Sequence, residues 1–291
     1  MEKRLTRRVA LSSLGLISGG ILASGCTKGL VAPVSAEPVT PAANGNGLGA
    51  SSEADHGWKY APLNAEEIAD RAYAMYPDGG CMYSMVGSVI SALAERFGEP
   101  FSQFPYSMMR YGEGGVGKWG SLCGVVNGAA ALIGLFYPED QNTREKLIEA
   151  FAYWYESSEL PVYVPKDAPQ SMEIPKSVAG SILCHFSVGA WCKVSGYPAF
   201  CKEKTERCRR LTADGVRFLV TILNESHMQT NRELPTSPTA KACNDCHGKA
   251  QLADAMVKMN CQSCHDLDPS HSVQPVTNGT EFNPAQIRSG R

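Results

Sequence analysis

The sequence predicts a mainly α-helical chain that ends in a segment of different character. Apolar residues recur at helical spacing through the middle of the chain, alternating strand patterns are almost absent, and large apolar residues thin out after His227. The first helix begins at Asn64, which can cap it, with Glu67 three residues later and Ile68, Ala72 and Met75 on one face. Pro77-Asp78-Gly79-Gly80 is expected to stop it. Cys81 to Phe97 reads as a second, apolar helix closed by Gly98-Glu99-Pro100, and Ser121 to Phe136 is similar. Thr143 to Glu156 is amphipathic and carries Phe151, Tyr153, Trp154 and Tyr155. A Pro-rich loop from Pro161 to Pro175 precedes a helix near Ser177 to Gly189, and a longer one runs over about Glu203 to Asn224. Residues 57–226 thus read as a helical, cysteine-rich domain large enough for its own core.

Residues 227–291 are explained by two motifs. Cys243-Asn244-Asp245-Cys246-His247 and, eighteen positions on, Cys261-Gln262-Ser263-Cys264-His265 are complete CxxCH sites for covalent c-type haem. Cys243, Cys246, Cys261 and Cys264 would add across the haem vinyl groups, and His247 and His265 would be the proximal iron ligands. A zinc ribbon is the competing reading of two CxxC pairs, but a ribbon needs no His after both. The fold expectation is therefore a helical domain followed by a C-terminal dihaem segment, and such a tail orders around its haems.

Residues 1–26 read as an export signal. Lys3, Arg4, Arg7 and Arg8 precede an uncharged apolar run from Val9 to Leu22. Thr6-Arg7-Arg8-Val9-Ala10-Leu11 resembles a twin-arginine signal, with Ala10 where Phe is usual, and a Sec-type signal is the alternative. Leu22-Ala23-Ser24-Gly25-Cys26 also resembles a lipobox, which would make Cys26 a lipidated N-terminus and residues 27–56 its flexible linker. A periplasmic or other extracytoplasmic location follows, with or without the lipid anchor. Cleavage before Cys26 takes four basic residues from 27 and one acidic residue from 29, leaving a formal charge near −5, so no basic nucleic-acid surface is implied. Twin-arginine export serves proteins that take up a cofactor before export, which hints at a second cofactor.

Gly112-Glu113-Gly114-Gly115-Val116-Gly117-Lys118 imitates a phosphate-binding loop, but Trp119 stands where Ser or Thr must hold magnesium and no apolar strand precedes it. Its glycines are better read as letting backbone pass close to a helix or cofactor.

Six cysteines remain in the helical region: Cys81, Cys123, Cys184, Cys192, Cys201 and Cys208. Three disulfides are one reading in an oxidising compartment. Against it, Cys81 and Cys123 each begin a helix, where amide groups and the helix dipole favour thiolate, the form that binds metal. Cys184 and Cys192 would lie about 12 Å apart on one straight helix. Either the helix ends between them, at Gly189, or they serve different sites.

Gly79-Gly80-Cys81-Met82-Tyr83, Trp119-Gly120-Ser121-Leu122-Cys123-Gly124 with Asn127-Gly128-Ala129, Cys184-His185-Phe186-Ser187-Val188 with Trp191-Cys192, and Glu206-Arg207-Cys208 with Leu211-Thr212 resemble the split-Soret cytochrome c family. That family lies within a wider group of redox-active proteins named for scattered cysteines around a GCAxxG-like element. The resemblance spans roughly Trp58 to His265. It implies a homodimer of helical subunits, two stacked bis-histidine haems per subunit with one ligand given by the neighbour, and an iron-sulfur cluster, here a [2Fe-2S] cluster, in the helical domain. Cys184, Cys192 and Cys208 match best as cluster ligands, with the fourth among Cys123, Cys81 and Cys201; Met82 stands where family members often have another Cys.

Four histidines remain for two distal positions. His227, at the end of the long helix, is placed to project toward a haem. His271, six residues past His265, could reach the other haem, and His56 could be delivered by an N-terminal arm crossing to a partner subunit. His185 follows Cys184 and belongs with that site. Met228, Met256 and Met259 are alternative ligands. The sequence thus points to an exported electron carrier rather than an enzyme, acting on redox partner proteins. The alternative is a small haem-dependent reductase with an open iron position.

Overall fold

The computed structural model describes residues 58–166, 172–230, 233–236, 238–253, 255, 258–263 and 265, all within one compact unit. Its body is mostly helical. The first helix, α1, spans Ala65–Phe97, and Asn64 caps it as expected, its side chain accepting from the N–H groups of Glu66 and Glu67. The expected stop at Pro77 to Gly80 is instead a kink confined to Gly80 (φ 75°, ψ −167°). Both halves are held against the same partner helix, so the chain re-enters helix at once. In the first half the Tyr73 carbonyl accepts from Arg209 Nε at 2.7 Å; in the second, Met85 lies against Gly215.

That partner is α5, Lys202–His227, and the α1–α5 packing is the largest in the fold. Helices α2 (Gly124–Phe136) and α3 (Gln141–Ser157) complete the bundle. Met85, Val89, Ile90 and Leu93 of α1, Ala129, Leu132 and Ile133 of α2, Leu147 and Phe151 of α3 and Val216, Leu219 and Val220 of α5 share one buried core. Each fully buried aliphatic side chain there contributes roughly 1.5–3 kcal/mol relative to exposure. Asn224 of α5 ties in the chain before α1: its Oδ1 accepts from Tyr60 Oη at 2.7 Å and its Nδ2 donates to the Leu63 carbonyl at 2.8 Å.

The helix expected near Ser177 begins later. Ser177–Val178 is strand β2, antiparallel to β1 (Glu159–Leu160), with Glu159 opposite Val178. Gly180 N–H then donates to the Glu156 carbonyl at 2.8 Å and Ser181 Oγ accepts from Leu183 N–H at 3.2 Å, bonds that keep the backbone out of helix. Helix α4 therefore spans Cys184–Ser195, running through Gly189 without a break and ending on left-handed Gly196. The C-terminal segment holds α6, Pro238–His247, and a 3-10 turn over Cys261–Ser263. Among the described residues no helix is long and apolar enough to cross a membrane.

Candidate metal centre

A bridge between Leu122 and Leu183 sets two cysteines side by side. Cys123 N–H donates to the Ile182 carbonyl at 3.0 Å and Cys184 N–H to the Ser121 carbonyl at 2.7 Å. Each cysteine then enters a helix at once, Cys123 as the N-cap of α2 and Cys184 as the first residue of α4. Cys81 opens the second half of α1 directly after the Gly80 kink, and Cys208 lies in the second turn of α5. Three of these four positions are helix starts, where free amide groups and the dipole stabilise negative charge.

The thiols meet at a point that needs bare backbone. A Cβ on Gly124 would stand 2.4 Å from Cys81 Sγ and 2.7 Å from the Gly112 carbonyl, and one on Gly115 would stand 2.8 Å from Cys184 Cβ. The glycine-rich loop that imitates a phosphate site thus covers the cysteines, as expected for backbone passing close to a helix.

Their electrostatics are those of one shared site. Hydrogen bonds from Cys184 and then Cys81 hold the buried Cys123 thiol well below the usual thiol range, against desolvation. The same bonds, together with burial, push Cys81 and Cys184 up, and Cys208 acts on both through its charge. The buried Tyr155 hydroxyl adjoins Cys123 and Ser187, and Arg207 approaches from α5 with Nη1 3.9 Å from Cys208 Sγ. Among the described residues no three donor side chains already close on a single metal ion. The thiols adjoin in pairs instead, Cys81 with Cys123 and Cys123 with Cys184. Clustered thiols are the donor chemistry of an iron-sulfur cluster.

The structure leaves two of the expected candidates apart. Cys192 stands two turns beyond Cys184 on the continuous α4, about 12 Å along the axis. It lies apart from Cys184, whereas Cys81 adjoins Cys123. Cys201 is occupied as the N-cap of α5, its sulfur accepting from Lys204 N–H at 3.3 Å. All nine described cysteines are free thiols, so the disulfide reading is not realised among them. Position within the helix separates the two groups: Cys81, Cys123 and Cys184 start one, whereas Cys192 lies near the end of one.

In the C-terminal segment, α6 carries Cys243 and Cys246 three residues apart on one face, with His247 as its last residue. Cys261 opens the 3-10 turn, and His265 N–H donates to the Cys261 carbonyl at 2.9 Å. Burial and hydrogen bonding with Cys243 raise the Cys261 thiol, so the leading cysteines of the two motifs adjoin. The segment is pinned to α3 by Lys258, whose Nζ lies 3.0 Å from Glu149. Beside this contact is a cavity of ≈ 510 Å³ lined by Ile148, Ala152, Tyr153, Ile182 and Met259, with Glu156 at its wall. An apolar cavity next to a CxxCH cysteine fits one edge of a haem. His227 ends α5, exposed, with its ring edge-on to Tyr60 at 5.8 Å. His185 is exposed in the first turn of α4, beside the cysteines, as expected. Cys26, His56, Met256, Cys264, His271, the export signal and the linker lie outside the described residues.

A helical body with convergent thiols, followed by two CxxCH motifs, defines an electron-transfer protein of haem and iron. Residues 83–222 match the family described as "Putative redox-active protein (C_GCAxxG_C_C)". The split-Soret cytochrome c of Desulfovibrio desulfuricans is 33% identical over 220 residues, covering 72% of this chain and 77% of the relative. A solved structure of split-Soret cytochrome c from that organism, described as having a novel iron centre, superposes with a TM-score of 0.68 at 32% identity, over 74% of this chain and 92% of that one. The chain belongs to the split-Soret cytochrome c family.

Proposed function

We propose that the chain is an exported one-electron carrier with two haem c groups and one [2Fe-2S] cluster per subunit, acting as a homodimer in the periplasm or at its membrane. The observation that carries the cluster is the convergence of Cys81, Cys123, Cys184 and Cys208 from four helices. The relative's novel iron centre supports iron at such a site. Haem and cluster iron, when bound, supply the redox chemistry; the chain's residues hold, bury and tune it. Cys243, Cys246, Cys261 and Cys264 would attach the haems, and His247 and His265 would be their proximal ligands. Two of His227, His56 and His271 would complete the irons, one of them across the dimer. The adjoining Cys243 and Cys261 favour close haems and rapid exchange between them. Residues 1–26 would direct export, and Cys26 would carry a lipid anchor.

The test is the iron-to-haem ratio of anaerobically purified full-length protein. Two haems and a two-iron cluster require a ratio of about two. A ratio of about one would reduce the protein to a dihaem carrier with a thiol-lined core.

A further inference from the structure

Arg207 is a cation in an unusual position. Only 1% of its surface is exposed, yet among the described residues no carboxylate lies within ion-pair distance of it. One turn along α5, the buried Arg210 shows the ordinary solution, with Nε 2.7 Å from Glu206. Arg207 instead donates from Nη2 to the neutral Ser187 Oγ at 2.8 Å, sets Nη1 3.9 Å from Cys208 Sγ and leaves Nε without a partner. A buried cation is costly unless an anion answers it. The groups around this one that can become anionic are the thiols of Cys208 and Cys123, with the buried Tyr155 hydroxyl beside them.

We propose that Arg207 is the built-in counter-charge of the four-cysteine site, aimed by Ser187, and that it raises the potential of the cluster held there. The proposal rests on the cluster reading above. Four thiolates and two sulfides around two ferric irons leave a charge of about −2, and reduction makes it about −3. A ferrous haem c would supply the electron, its iron becoming ferric as one cluster iron became ferrous, with no bond or proton changing place. A guanidinium fixed beside Cys208 in a low-dielectric core favours the more negative state. Because arginine stays protonated, the effect does not depend on titration.

The experiment is a redox titration of the full-length, anaerobically purified protein, reading the reduced cluster by electron paramagnetic resonance and the haems by visible absorption. Arg207→Gln is expected to lower the reduced-to-oxidised ratio of the cluster at fixed poise tenfold or more, about 59 mV for one electron. Arg207→Lys, which keeps the charge, should lose much less, and both haem midpoints should stay in place. Ser187→Asp sets a carboxylate against the guanidinium, so it should shift the cluster the same way with Arg207 present, and it decides the matter if Arg207→Gln does not fold. An unmoved cluster potential in whichever of these variants folds, or equal losses in the Gln and Lys variants, overturns the role of the charge. Wild-type protein without non-haem iron overturns the cluster reading and this inference together, whereas a cluster whose potential ignores Arg207 overturns this inference alone.

Discussion

In the helical body, four thiols arrive from α1, α2, α4 and α5, brought together by one buried core that includes Cys81 and Cys123 and against which Cys184 packs. In the C-terminal segment, Cys243, Cys246 and Cys261 arrive from one short helix and one turn, and none of its described residues is fully buried. The first region builds a site by packing. On the proposed reading, the second presents attachment points whose core would be the haem itself. The two therefore answer differently to damage: the body should survive loss of haem, while the cysteine cluster should not survive loss of one core thiol.

Cys123→Ser breaks the comparison most directly. It is expected to abolish the non-haem iron while both haems stay attached, whereas Cys192→Ser should keep both kinds of iron; quantified iron and haem in the two variants decide. Equal iron loss in both would put Cys192 back in the cluster. Replacing Cys243, Cys246, Cys261 and Cys264 together by Ala should remove all haem and leave most of the far-ultraviolet helical signal, with a cooperative melt. A collapsed spectrum would show that the body depends on the haems after all. Gly124→Ala sharpens the packing side. Its Cβ would meet Cys81 Sγ at 2.4 Å, so a loss of about 1–3 kcal/mol in denaturant unfolding is expected, and a neutral result would mean that the thiols have room to move.

Glu156 tests the seam between the regions. Its carboxylate accepts from the Asn260 backbone N–H, Oε2 has no partner, and burial raises its pKa. A carboxyl raised in the folded state contributes stability that is present below the ordinary carboxylate range and lost as pH rises through the folded value. Glu156→Gln should match wild type in acid and exceed it by about 1 kcal/mol at neutral pH, the cost of a buried unsatisfied polar group. Unfolding curves at the two pH values check this; parallel curves at both would deny the buried ionisation.

Much of the body could be read from sequence because its signals are local. The Asn64 cap, the left-handed Gly98 and the apolar faces of α2 and α5 are set by a few adjacent residues. The errors came where distant contacts outvote local pattern. Pro77 to Gly80 looks like a terminator, but α5 packs against both sides of it and leaves only a kink. Ser177 looks helical, but its pairing with Leu160 keeps it extended. The CxxCH motifs are legible because their chemistry fits within five residues. The thiol cluster spans Cys81 to Cys208, so spacing alone could not rank Cys81 above Cys192.

The bridge between Leu122 and Leu183 also limits how this architecture can vary. Each cysteine is the residue immediately after a bridge partner, so its direction is counted from that rung. The exposed tip of the glycine-rich loop, Val116 to Trp119, could gain or lose residues and still deliver Leu122 to the bridge. One residue inserted between Leu122 and Cys123, or between Leu183 and Cys184, would rotate a sulfur out of the site. Length polymorphism in homologous chains should therefore collect on the far side of the rung and be missing on the near side, making the bridge a fixed origin from which the register of the two cysteines is read.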